Sequence, residues 1–167
     1  MMIRVFAAAA FVAAGAVTGS ALASKLRREQ RICAAICSLF SRTAFLVGYR
    51  GDDVYSVCSE LRRDTELAPL TFLNELPETY SSGADFRDIW RSSVTSQTFG
   101  AEETELLIRL GSIIGRSDSA SQCETIDQLG KRAAELEKRR AEASRQKGRL
   151  YRSVGLLLGV ISAILVI

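Results

Sequence analysis

A chain of 167 residues with 47% apolar and 25% charged side chains is long enough to bury one core and too apolar for a disordered segment. Its formal net charge of +3 leaves 20 basic and 19 acidic residues between Ser24 and Arg149, a balance near +1 that argues against nucleic acid as the main partner. The absence of histidine removes the most versatile acid-base group and the commonest metal ligand, so an enzyme is not expected and no cofactor is implied.

The first element is an uncharged run from Val5 to Ala23, Ala-rich with Gly15 and Gly19, of 19 residues. At about 1.5 Å per residue this nearly spans a hydrocarbon core of about 30 Å, and it reads as a transmembrane helix over residues 1–23. A secretory signal peptide is the competing reading, because Ala21-Leu22-Ala23 has the small-x-small form of a cleavage site. Against export, Lys25, Arg27, Arg28 and Arg31 follow at once, and basic clusters tend to stay on the cytoplasmic side.

Residues 24–149 read as a helical domain. From Arg27 to Val47 the apolar positions Ile32, Ile36, Leu39, Phe40 and Val47 fall on one helical face, and Gly48 to Gly51 breaks the run. Asp52 or Asp53 can cap a second helix presenting Val54, Val57, Cys58 and Leu61. A short helical piece over Leu70 to Leu76 stops near Pro77. The stretch Asp85 to Thr98 then puts Phe86, Ile89, Trp90 and Val94 on one stripe, expected to be core. Ala101 to Ile114 opens with Glu102, Glu103 and Glu105, which suit a positive helix N-terminus, and shares a face among Leu106, Leu107, Leu110, Ile113 and Ile114 before Gly115 ends it. Ser119-Ala-Ser-Gln122 has the form of a capping box before a long helix with Ile126, Leu129, Ala133 and Leu136 in three-four alternation. Nothing alternates as a strand would.

The C-terminus mirrors the start. Arg145, Lys147, Arg149 and Arg152 precede the 15 uncharged residues from Ser153 to Ile167, and with Leu150 and Tyr151 this segment, residues 150–167, is expected to be a membrane anchor. Basic flanks on both sides of the middle predict a hairpin with both termini outside and the central domain in the cytosol. A pore lined by the two ends is disfavoured, since only Thr18, Ser20, Ser153 and Ser162 could supply a polar stripe. Cys33, Cys37, Cys58 and Cys123 lack the paired C-x2-C spacing of zinc sites, and buried free thiols are the favoured reading. No Gly-Lys-Ser/Thr phosphate loop occurs, so any nucleotide hydrolysis must come from a partner.

The order of these features resembles the stage III sporulation protein AB family of endospore-forming bacteria. Leu106-Leu-Ile-Arg-Leu-Gly111-Ser-Ile-Ile-Gly115-Arg-Ser-Asp118-Ser-Ala-Ser-Gln122 is similar to that family's Leu-Gly-x-x-Leu-Gly turn with its following Asp and Gln, and Lys147 to Gly155 to its entry into the apolar tail. Leu76-Pro77 and the Phe86 to Trp90 helix match more weakly, and the first half matches in layout alone. The resemblance implies an all-α antiparallel bundle like the F domain of type II secretion systems, held by N- and C-terminal membrane helices. It further implies a non-enzymatic platform in the transenvelope complex between mother cell and forespore, needed for late forespore development. The partners it implies are other stage III components, among them a secretion-type ATPase, together with membrane lipids and further copies of the chain. The implied place is the mother-cell membrane facing the forespore. Arg116, Asp118 and Gln122, where the match is densest, are both a helix cap and a candidate interaction turn.

Overall fold

A computed structural model describes residues 2–79, 83, 85–115 and 119–166. Among them all regular structure is helical: α1 (Met2–Phe45), α2 (Val54–Arg63), α3 (Phe86–Ser96), α4 (Ala101–Ile113) and α5 (Ser119–Val166). One π-helical turn, Leu46–Arg50, follows α1, and two short 3-10 segments, Thr65–Leu67 and Thr71–Glu75, lie between α2 and α3. The chain divides into two compact units, residues 31–137 and the paired terminal segments 1–30 and 138–167.

The unit of residues 31–137, called the head here, has a core that follows the predicted faces. Ile36, Leu39 and Phe40 of α1, Val57, Cys58 and Leu61 of α2, Trp90 and Val94 of α3, Leu107 and Leu110 of α4, and Ile126 of α5 are all at most 1% exposed. Within the head α1 and α5 run antiparallel in close approach. A Cβ on Gly130 would stand 3.4 Å from that of Phe40, and further along, the Cys123 thiol donates to the Ala44 carbonyl at 3.7 Å. The π-helical turn is closed by Gly51 at φ 64, where the backbone N–H bonds back to Leu46 O. Asp53 then caps α2, its carboxylate accepting from Tyr55 N at 2.9 Å and Ser56 N at 3.2 Å. The Ser56 hydroxyl, which donates to Asp53 Oδ2 at 2.6 Å, and then these two N–H groups hold the Asp53 carboxyl below its ordinary range.

The 3-10 segments carry few backbone ladders, so side chains hold them. Arg62 of α2 donates from Nε to Leu73 O at 3.3 Å and from Nη2 to Leu76 O, while Nη1 pairs with Glu78 at 2.6 Å. From the other side Gln97 accepts from Phe72 N at 3.1 Å and donates to Pro69 O at 2.9 Å. Arg62→Ala leaves two carbonyls without their charged donor, each such bond being worth about 1.5–3 kcal/mol. The expected loss is about 3 kcal/mol of head stability by denaturant titration, nearly all from the carbonyls because Glu78 is exposed.

Glu102 and Glu103 stand in the first turn of α4 as a positive helix start favours, and of the three acidic residues there Glu102 and Glu105 are exposed while the third, Glu103, is buried. That residue is only 4% exposed, and the Cys33 thiol donates to its Oε1 at 3.4 Å across the head. Position three of α4 faces inward in the register set by Leu106, Leu107 and Leu110, so packing overrides the preference of a carboxylate for water.

The terminal unit reverses the usual pattern. Gly19 and Ala23 of α1 are buried, whereas Val17 and Leu22 are 65% and 50% exposed. On the α5 side Leu150, Val154, Leu157, Leu158, Ile161 and Ile164 are all exposed. Among the described residues of these segments the buried ones are small and the large apolar ones are mostly exposed, the reverse of a core packed against water. The hydroxyls in the first apolar run turn back onto their own helix: Thr18 Oγ1 donates to Ala14 O and Gly15 O at 3.0 Å, and Ser20 Oγ to Val17 O at 2.9 Å. That satisfies them without water.

Candidate functional site

Two features of this chain have the form of working surfaces, an open polar depression on the head and the apolar, basic-flanked terminal unit. The depression, of about 520 Å³, is lined by Arg50, Asp52, Asp53, Tyr55, Ser56 and Glu60 among others. Its charged groups already have structural tasks. Arg50 pairs with Asp52 at 3.2 Å and with Glu60 at 3.6 Å, and Asp53 is spent on the α2 cap. The geometry joins the end of α1 to the start of α2.

No disulfide joins any of the four cysteines. Cys33 and Cys58 are buried and Cys37 and Cys123 half-buried. Burial pushes the Cys58 thiol up to about 12, so it stays protonated and unreactive at neutral pH. No group of three or more Cys, Asp or Glu able to hold a metal is assembled among the described residues.

Of the proposed interaction turn, Arg116 and Asp118 lie outside the described residues. Gln122 is buried at 5% exposure, which makes it a polar group of the interior rather than a surface one. The membrane-flanking cations Lys25, Arg27, Arg28, Arg31, Arg145 and Lys147 are exposed, while the side chains of Arg149 and Arg152 lie outside the described set. Among the described residues one helical stretch, Val12–Gly48, holds a window long and apolar enough to cross a membrane. α1 continues unbroken from that apolar run to Phe45, whose preceding turns pack in the core of the head.

Two glycines explain the motif that carried the resemblance. Gly111 lies under the indole of Trp90, where a Cβ would stand 2.1 Å from Cδ1, and this contact lets Trp90 Nε1 reach Leu107 O at 2.8 Å. Gly115 stands at φ 86 just past α4, the left-handed position that closes a helix C-terminus. The sequence marks Gly115 as a helix end and Gly111 only as part of the Leu-Gly-x-x-Leu-Gly motif, since a close approach from another helix is not periodic.

Against known families, the model for stage III sporulation protein AB matches residues 4–167. The chain belongs to the stage III sporulation protein AB family. Its role is therefore tied to sporulation, and the match runs through both apolar ends as well as the head. No curated protein and no solved structure matches the chain.

Proposed function

We propose that this member of the stage III sporulation protein AB family is a non-enzymatic membrane platform of the complex joining mother cell and forespore. In this reading α1 anchors the chain in the membrane from its N-terminal side, the apolar C-terminal segment adds a second anchor, and the head, an antiparallel bundle of the type II secretion F kind, meets partners in the mother-cell cytosol. Those partners include a secretion-type ATPase and other stage III components. The observation that carries the proposal is the exposure of large apolar side chains on both terminal segments, Val17 and Leu22 on one and Leu150, Leu157, Leu158, Ile161 and Ile164 on the other, beside exposed basic flanks. A water-solvated pair of helices would place them inside.

The test is site-specific photo-crosslinking from exposed head positions such as Glu66, Asp88 and Glu124 in sporulating cells. Adducts with the ATPase and with membrane components of the complex are expected. A head whose every adduct is with unrelated proteins, in cells that still need the chain to sporulate, contradicts the platform.

Export with cleavage after Ala23 is the other reading, resting on Ala21-Leu22-Ala23. α1 passes through this site without a break and Ala23 is 1% exposed, so cleavage would cut an intact helix at a packed position. The mass of the mature chain decides: an uncut N-terminal segment is expected, and loss of residues 1–23 establishes export.

A further inference from the structure

The division into two units exposes a charge separation that the near-neutral balance over residues 24–149 averages away. Residues 1–30 and 138–167 hold eleven basic side chains and only two acidic ones, Glu29 and Glu142, a net charge of +9. Residues 31–137 hold eleven basic and seventeen acidic side chains, a net charge of −6. The formal +3 of the chain is thus the difference between a strongly basic terminal unit and an acidic head.

The basic groups are concentrated in residues 24–30 and 138–152, where each segment meets its apolar run. Lys25, Arg27, Arg28, Lys138, Arg145 and Lys147 are exposed, and none forms an ion pair with a described residue. Unpaired cations of this density need a counter-charge. One unit that combines them with exposed Leu157, Leu158, Ile161 and Ile164 fits a ligand with an anionic head and an apolar body.

We propose that the terminal unit selects anionic phospholipid, its cations binding the phosphate-bearing headgroups while its apolar side chains contact the acyl chains. This deepens the anchor reading above and rests on it. Nucleic acid would satisfy the cations and leave the apolar surface in water, so lipid is favoured. The acidic head is repelled by the same anionic surface, which confines the contact to the terminal unit and leaves the head available to protein partners.

The experiment uses the full chain reconstituted into phosphatidylcholine vesicles carrying a trace of spin-labelled phosphatidylglycerol or spin-labelled phosphatidylcholine. The motionally restricted fraction of each probe gives its relative affinity for the protein surface. A juxtamembrane cation contributes about fivefold near an anionic surface, and shared among several boundary lipids this predicts roughly a fivefold preference for phosphatidylglycerol at low salt. The preference should fall toward one in 0.5 M salt, where the screening length drops to roughly 4 Å. It should also fall toward one in a variant carrying Lys25→Gln, Arg27→Gln, Arg28→Gln, Arg145→Gln and Lys147→Gln, whose surface substitutions leave the head's helical circular dichroism unchanged. Equal restriction of the two probes by the unmodified chain overturns lipid selection while keeping the anchor. A preference that survives in the variant overturns the assignment to these cations. Absence of any restricted component with either probe overturns the anchor reading together with this one, and tight binding of a DNA duplex by a chain showing no lipid preference assigns the charge to nucleic acid instead.

Discussion

Replacing Gly111 by alanine should destabilise the head by about 2–4 kcal/mol, although the same change in an exposed helix would stabilise it by about 1 kcal/mol. The sign is decided by Trp90. A methyl at position 111 would stand 2.1 to 2.5 Å from three atoms of the indole, far inside van der Waals contact. The ring cannot simply swing away, because it packs edge-on against Phe72 at 5.4 Å, tilts against Phe86 at 5.8 Å and donates to Leu107 O. Moving it therefore strains three contacts and strands a buried donor, adding about 1–3 kcal/mol for the lost hydrogen bond. Thermal denaturation of purified protein reads the loss directly. Trp90→Phe in the Gly111→Ala background should cost less than the sum of the two single changes, since the smaller ring makes room for the methyl. Strict additivity would show that the alanine does not meet the indole.

Leu110→Asp should unfold the head outright. Leu110 is fully buried in the apolar core of the head, where a carboxylate has no water. The cost exceeds about 4 kcal/mol, a large share of the 5–15 kcal/mol that holds a typical domain folded. Spore formation should therefore be lost, with heat-resistant spore counts as the readout and circular dichroism of the purified chain as the structural check. Glu105→Gln, one turn away, is the control. Its ion pair with Arg109 at 2.8 Å is exposed and contributes about 0.5 kcal/mol at most, so sporulation should continue. Normal spores from the Leu110→Asp strain would mean that the folded head is not what sporulation requires.

The helices were legible because their apolar residues repeat at helical spacing and their ends carry ordinary punctuation, Asp53 before α2 and Gly115 after α4. The continuity of α1 was legible as well, since no glycine or proline between Ala23 and Val47 breaks a helix, and the backbone runs unbroken from Met2 to Phe45. Three further features depend on tertiary contact and leave no periodic trace: the indole over Gly111, the Arg62 bonds to Leu73 and Leu76, and the burial of Glu103 beside Cys33. The charge separation was present in the sequence but became visible only with the unit boundaries at residues 31 and 137.

Residues 31–137 are expected to lie in the cytosol between two anchors, and trypsin treatment of protoplasts from non-sporulating cells made to produce the chain, where it sits in the outer cell membrane, tests this most directly. Arg63, Arg87, Arg91 and Arg109 are exposed and lie within the head, so the protease has sites wherever it can reach that side. The head should survive intact in sealed protoplasts and be cut once the membrane is opened with detergent. Cleavage at these arginines in sealed protoplasts would put the head on the outer side and contradict the platform.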